Sequence, residues 1–368
     1  MSKLGVGIIP GIIIVVAIVT LVSLPSEEIE DLGPITIVAN LPITGPGSGI
    51  GIQERDGLQL TVDSLNSAGG INERNVELII VDNETDLDKA KELFLETEQA
   101  HEPLLHISSL SFISIGLSPL AEEHEVVLIA LSATAPEVTQ DRDWTFRYFP
   151  MANEEAIPIL QILDDLNVND LGILYQNDAF GSSIANAVGT KFENSVTQEH
   201  FDPNAVDFKE NIAKLQNKDA IYIVAFPDYI KIIHKQLREA NYQGEILMSS
   251  DGATFDIFAM PEADGVYLAA PIIYNTNFQL GNHIALSYET KYDKQFDYNA
   301  ANGVDIIRIL HGLLDEEEIS RDNVKDILNS GFTYSGLFGT VIVPPNEHDM
   351  QFQLYPAKIV NGEIEFEK

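Results

Sequence analysis

Residues Leu41–Asp86 read LPITGPGSGIGIQERDGLQLTVDSLNSAGGINERNVELIIVDNETD. The stretch parses as a strand end, a glycine-rich loop, a helix, a double-glycine stop and a second strand. Ile35–Leu41, which leads into it, is a short apolar run rich in β-branched residues, the pattern of a buried strand. Gly45, Gly47, Gly49 and Gly51 allow the backbone to approach a ligand closely. Leu58, Val62 and Leu65 recur at i, i+4 and i+7, which gives the next segment one apolar helical face. Gly69–Gly70 ends that helix, because glycine reaches the left-handed cap conformation at little cost. Glu77–Val81 supplies the next strand. This is a βαβ unit whose loop sits at the carboxyl end of a strand, where open α/β sheets bind small molecules.

Outward from this unit the alternation continues. Further strands are expected at Leu104–Ser108, Val126–Leu131, Leu171–Tyr175, Ala220–Ala225, Glu245–Met248 and Val266–Ala270. Helical spacing lies between them, as in Ala156, Leu160, Leu163 and in Ile230, Ile233, Leu237, Ala240. Alternating β and α segments imply parallel sheets covered on both faces. There are more strands than one sheet holds comfortably, so a second β/α series is placed from Asn153. Trp144–Pro150 reads as a strand crossing between two lobes. After about Pro271 the pattern is mainly helical, including Gly303–Leu314 and Asp322–Asn329.

The chain has 368 residues, with 21 Lys and Arg against 57 Asp and Glu, a net charge of −36. Such a charge repels phosphate backbones, so nucleic acid is not an expected partner. There is no cysteine, which excludes disulfides, zinc–thiolate sites, thiol catalysis and attachment through a lipidated cysteine. Leu4–Leu24 carries no charge and is long enough, at about 1.5 Å per residue, to cross a bilayer core of about 30 Å. Lys3 before it and Glu27, Glu28, Glu30 and Asp31 after it place the globular part outside the cell. A cleaved signal peptide is the competing reading, but Ser23-Leu24-Pro25 lacks an A-x-A site, so a retained anchor is favoured. Pro25–Pro34 is then an acidic linker.

Residues just beyond strand ends face the cleft of a doubly wound sheet. Here they are Gly47–Ile50, Ser109–Ser111, Ser132 with Thr134, Phe180, Phe226 and Asp251. One lobe thus offers hydroxyls, and the other offers aromatic rings and a carboxylate. Hydroxyls and backbone N–H groups at a helix start suit a carboxylate, and Ser111 would open such a helix through Leu120. Asp251 would accept charge-assisted hydrogen bonds from an ammonium group. Ile50, Phe180 and Phe226 would line the cleft. Each residue also has a plainer role. Ser111 suits a helix cap, Ser132 and Thr134 suit turn bonds, Asp251-Gly252 suits a turn, and the two phenylalanines suit the core.

The ordered pieces resemble the solute-binding proteins of the branched-chain amino acid transporter family. Pro42-Ile43-Thr44-Gly45-Pro46 is similar to that family's "P-x-[ST]-G-P" loop, and Asn66-Ser67-Ala68-Gly69-Gly70-Ile71-Asn72 to its "N-x-x-GGI-N" helix end. Phe146-Arg147-Tyr148-Phe149-Pro150 resembles its "FR-x-x-P" crossing, and Leu131–Thr139 its "P-A-A-T-x-P-x-[LV]-T" segment. Asp251 matches the acidic residue of "[GS]-x-[ED]-G". The resemblance implies an α/β fold of two doubly wound lobes joined by a three-strand hinge, as in type I periplasmic binding proteins. Residues 35–147 and 272–350 would form the first lobe, and residues 148–271 and 351–368 the second. Ser111, Ser132, Ala133 and Thr134 would hold a ligand carboxylate, and Asp251 its ammonium group. Family members often carry tyrosines aligned with Ile50, Phe180 and Phe226, so specificity for leucine, isoleucine or valine is in question. The partners implied are an amino acid or short amide, the permease of an ABC transporter and, through Leu4–Leu24, the membrane. A sensor of the same fold is the first rival and a urea-binding protein a variant of the leading reading. No enzyme activity, cofactor or metal is expected.

Weaker signals point elsewhere. Asp82–Asp88 hints at a calcium loop but has Leu87 and Leu93 where an EF-hand needs glycine and glutamate. A strand-to-helix turn capped by Asp86 or Thr85 is the better reading. Asn83-Glu84-Thr85 is a glycosylation sequon. The eight histidines form no H-E-x-x-H pair, and no Walker A, G-x-G-x-x-G or G-x-S-x-G run is present.

Overall fold

A computed structural model describes residues 32–367, apart from 276, 279 and 280. The segment Leu4–Leu24 lies outside the described residues, and no helix among them is long and apolar enough to cross a membrane. The chain begins with β1 (Ile35–Leu41), α1 (Ser48–Ser67), β2 (Val76–Asp82), α2 (Leu87–His101), β3 (Leu105–Ser109), α3 (Ser111–His124), β4 (Val127–Leu131) and β5 (Thr145–Tyr148). These strands form one parallel sheet in the order β2-β1-β3-β4-β5. The second series is α4 (Ala152–Asp165), β6 (Asp170–Gln176), α5 (Ala179–Lys191), β7 (Ser195–Phe201), α6 (Lys209–Leu215) and β8 (Ala220–Val224). It continues through α7 (Pro227–Glu239), β9 (Glu245–Met248), α8 (Phe255–Phe258) and β10 (Tyr267–Pro271). Then follow α9 (Asn282–Tyr292), α10 (Tyr298–Leu314), α11 (Arg321–Asn329), the hairpin β11 (Phe332–Gly336) and β12 (Gly339–Val343), and finally β13 (Leu354–Val360) and β14 (Glu363–Phe366). The second sheet runs β14-β13-β10-β9-β8-β6-β7, parallel except at β13 and β14.

Both sheets therefore contain the same plan: the second strand in sequence, then the first, third, fourth and fifth. In that order the chain reverses direction between the first and third strands, and a crevice opens at their carboxyl ends. One crevice is flanked by the loops after β1 and β3, and the other by the loops after β6 and β8. The central strands β3, β4 and β8 are buried along their full length, as strands covered on both faces must be.

The chain passes between the two lobes three times: after β5, after β10 and before β13. The first and third passages run side by side. Arg147 donates its N–H to His348 O at 2.9 Å, and Met350 donates to Arg147 O at 2.8 Å. In the first lobe α10 packs on α1 at close range. An added Cβ at Gly57 would collide with Ala300 O, and one at Gly303 with Glu54 O. Backbone meets backbone there, and only glycine permits it.

The structure corrects several expectations. β7 has polar residues at both faces of a sheet edge, so its sequence SVTQEHF lacks the apolar run that marks a buried strand. The region after Pro271 also contains the hairpin β11–β12, and α10 begins at Tyr298 rather than Gly303. The helix opened by Ser111 runs on to His124 with Pro119 inside it. The Asn83 sequon is buried: its Nδ2 donates to Asn40 Oδ1 at 3.0 Å and its Oδ1 accepts from Thr85 N at 3.0 Å, leaving no exposed amide for a glycan. Asp82 uses its carboxylate on the N–H groups of Ile43, Thr44 and Glu84, while Asp86 caps α2 through Lys89 N at 2.8 Å. That is turn chemistry, and no metal-holding cluster occurs among the described residues.

Candidate ligand-binding cleft

The first-lobe wall begins where β3 ends. Leu110 sits at φ +69°, ψ 139°, a conformation costly for a side chain with a Cβ. It turns the chain so that buried Ser111 opens α3. The Ser111 hydroxyl oxygen accepts from Thr134 N at 3.1 Å and Ala135 N at 3.3 Å. Both bonds use its oxygen, so its own hydrogen is left for another acceptor. The loop carrying Thr134 is fixed from behind. Arg147 Nη1 donates to Ala133 O at 3.0 Å and Ala135 O at 2.8 Å, and Nη2 donates to Thr139 Oγ1 at 2.9 Å. Ser111, Ala133 and Thr134 are thus brought together at a helix start. Ser132, at φ +42°, is turned differently: its hydroxyl donates to Glu54 Oε1 at 2.7 Å.

The second-lobe wall carries Asp251 in a single 3-10 turn after β9. Its carboxyl is buried, and Oδ2 has no hydrogen-bond partner among the described residues. Burial, then the nearby carboxyl groups of Glu155, Asp178 and Glu54, push this acid well above its usual range. Phe226 caps the start of α7 and Phe180 lies in the first turn of α5. Their rings stack on one another with centroids 5.5 Å apart and planes 16° from parallel. Ile50 is fully buried on α1.

The lobes meet across the cleft. Thr134 Oγ1 lies 3.3 Å from Ser183 Oγ on α5. The Tyr274 hydroxyl donates to Ala253 O in the second lobe and accepts from Tyr298 N in the first. The Tyr298 hydroxyl is itself buried without a hydrogen-bond partner among the described residues. Outside this contact, a groove of about 500 Å3 between the lobes is lined by Gln53, Asp228, Lys231, Asp256, Lys294 and Asp297, among others. A second groove of about 580 Å3, between α1, α9 and α10, is far less polar and gathers no buried acid.

Sequence reasoning missed a set of buried acids. Glu54 is pushed up to about 8 by burial, against the pull of the Ser132 and Ser109 hydroxyls. Asp297, which caps α10 through Ala300 N at 3.1 Å, is pushed up to about 7 by burial. Asp178 caps α5 through Gly181 N at 2.8 Å and is pushed up to about 6 by burial. Glu155 is raised by burial, though Ser250 N, Ser250 Oγ and Tyr222 OH all donate to it. A signal for two of them exists. Glu54 falls four residues from both Ile50 and Leu58, and Glu155 three from Ala152 and four from Ile159, so each sits on the apolar stripe of its helix.

The sequence profile of the family described as "Periplasmic binding protein" matches residues 34–363. The chain belongs to that family. Its members are solute-binding proteins rather than enzymes. This binding protein is 24% identical over 250 residues to the chemotactic signal transduction system substrate-binding protein BasB of Halobacterium salinarum, covering 64% of this chain and 60% of that one. It is 24% identical over 224 residues to Leu/Ile/Val-binding protein homolog 3 of Brucella melitensis, covering 58% and 60%. The chain thus spans about 60% of the length of these curated relatives. Among solved structures, the branched-chain amino acid transporter substrate binding protein LivJ of Streptococcus pneumoniae, in complex with isoleucine, superposes with a TM-score of 0.82 at 20% identity. That match covers 90% of this chain and 98% of LivJ, and establishes the two-lobed α/β fold.

Proposed function

We propose that this periplasmic binding protein of the Leu/Ile/Val-binding type captures an amino acid or similar small polar solute outside the cell. The lobes, residues 35–147 with 272–350 and residues 148–271 with 351–368, close on it about their three connections. The closed form then delivers the solute to the permease of an ABC transporter. Leu4–Leu24 tethers the protein to the membrane. Ser111, Ala133 and Thr134 receive the carboxylate at the start of α3, where the helix dipole adds attraction. Asp251 receives the ammonium group. Ile50, Phe180 and Phe226 supply apolar surface.

The observation that carries this reading is the buried Oδ2 of Asp251, without a hydrogen-bond partner among the described residues, together with a first lobe whose Ser111 hydroxyl has a hydrogen to give. An ion pair needs both ends, and a zwitterion provides both. Burial in a low-dielectric cleft strengthens each contact. A thermal-shift screen with leucine, arginine, glutamate and urea tests it, because a solute that binds only the folded form raises the melting temperature. A shift with an amino acid supports the reading. A shift with urea alone moves it to a neutral amide, for which Asp251 accepts amide hydrogens. A shift with glutamate alone contradicts the role of Asp251.

A second reading is favoured by one relative: BasB is named for chemotactic signal transduction. The same closure then reports to a signalling partner instead of a permease. Pull-down of the tethered protein with a permease or with a receptor separates the two.

A further inference from the structure

We infer that the cleft selects solutes of net positive charge, with Glu54 of the first lobe as a second cation-holding carboxylate beside Asp251 of the second. This rests on the solute-capture reading and names the ligand class of that site.

Two carboxylate oxygens, one from each lobe, are buried without a hydrogen-bond partner among the described residues. Glu54 has no exposed surface; its Oε1 accepts from Ser132 Oγ at 2.7 Å, the Ser109 hydroxyl lies near enough to draw on the same carboxyl, and its Oε2 makes no hydrogen bond of good geometry among the described residues. Asp251 Oδ2 is in the same condition. A neutral zwitterion satisfies only one of them. Glu54 is near enough to Asp251 to add to the upward pull on that acid.

No cation among the described residues pairs directly with these acids, and Lys294 acts on Asp297 only through space. Among the described residues, none of Glu54, Glu155, Asp251 and Asp297 makes an ion pair with lysine, arginine or histidine. Their donors are neutral: Ser132 for Glu54, Ser250 and Tyr222 for Glu155, and the Ala300 N–H for Asp297. Buried carboxylates without countercharge hold their protons more tightly, and burial pushes Glu54 up to about 8 and Asp297 up to about 7. A cationic solute reverses this, since an opposite charge within a few ångströms favours the ionised acid.

The approach to the cleft carries the same sign. Asp228, Asp256, Asp293 and Asp297 line the outer groove. Of its two lysines, Lys231 pairs with Asp228 and Asp256, and Lys294 pairs with Asp56. A net-negative mouth concentrates cations and turns away anions.

Calorimetric titration of the full chain near neutral pH with arginine, lysine, putrescine, leucine and glutamate tests this. At least one of the three cations is expected to bind at least about tenfold tighter than leucine, and glutamate not to bind. Glu54→Gln keeps the hydrogen bond from Ser132 and is expected to weaken the cation by at least about tenfold and leucine by less than about threefold. Leucine binding as tightly as every cation, or unchanged cation affinity in Glu54→Gln, overturns the inference. If leucine then binds and loses affinity on Asp251→Asn, solute capture stands without it. If none of the five binds, the inference falls, and urea binding in the thermal screen decides whether solute capture falls with it.

Discussion

Arg147 donates its Nε–H to Asp349 Oδ1 at 2.7 Å, and so ties the first passage between the lobes to the third. The same guanidinium holds the carbonyl oxygens of Ala133 and Ala135, which lie behind the Thr134 N–H and the Ser111 hydroxyl. One buried side chain thus fixes the connection and the floor of the candidate carboxylate site.

Arg147→Ala takes from Asp349 its countercharge and from Ala133 O its guanidinium donor, while Thr139 Oγ1 still donates to Asp349 and Val138 N to Ala135 O. Removing one partner of a buried pair costs about 3–5 kcal/mol, which urea unfolding would register. Arg147→Lys keeps the charge but loses the planar fork, so an intermediate loss is expected. A loss below about 1 kcal/mol for Arg147→Ala would mean that the passages are held by packing alone.

The helix crossing that carries Glu54 depends on Gly57. A methyl group there meets Ala300 O on α10. Gly57→Ala is expected to force α1 and α10 apart and to cost at least about 1–3 kcal/mol by chemical denaturation, as overpacked sites do. Gly49→Ala, with open space around its Cβ position, is the control and should change stability by less than about 1 kcal/mol.

The buried acids give a pH dependence of defined sign. Glu54 goes from 4.5 to about 8 and Asp297 from 3.8 to about 7 on burial. An acid raised in the folded state binds more protons folded than unfolded between those limits. Stability of the ligand-free protein therefore falls as pH rises through that window. Surface carboxylates of ordinary acidity are already ionised above about pH 6, and the buried His234 and His106, both lowered by burial, oppose the trend only up to about pH 7, so the slope between pH 7 and 8 reports the buried acids. Holding Glu54 protonated at neutral pH costs on the order of 3 kcal/mol, so Glu54→Gln should raise the melting temperature at pH 7 and flatten the slope. A ligand-free melting temperature that is flat or rising from pH 7 to 8 would contradict this.

What the sequence revealed and what it hid divide along physical lines. Ile35–Leu41 and Glu245–Met248 match their strands residue for residue, because a strand buried on both faces must be a continuous apolar run. β7 escaped because a sheet edge imposes no such run. Residues at strand ends were locatable because the topology dictates them: Ser111 sits at the crevice after β3, and Thr134 and Asp251 sit at the carboxyl ends of the next strands, β4 and β9. The acids hid for the opposite reason. In QERD, Glu54 reads as one more polar residue of an exposed helix turn in a chain of net charge −36. Only its position on the stripe of Ile50 and Leu58 marks it as internal. The stacking of Phe180 on Phe226 joins residues from α5 and α7, a contact that no local pattern encodes.

The central claim is that Asp251 and the rim of the opposing lobe grip a solute between them. Calorimetric titration of Asp251→Asn beside the native protein, with each amino acid or amine that binds the native form, tests it most directly. The account predicts at least about tenfold weaker binding of every ammonium-bearing solute, since a charged hydrogen bond contributes about 1.5–3 kcal/mol. It also predicts an unchanged or higher melting temperature, because asparagine removes a buried acid. Unchanged affinity for all of them would contradict it.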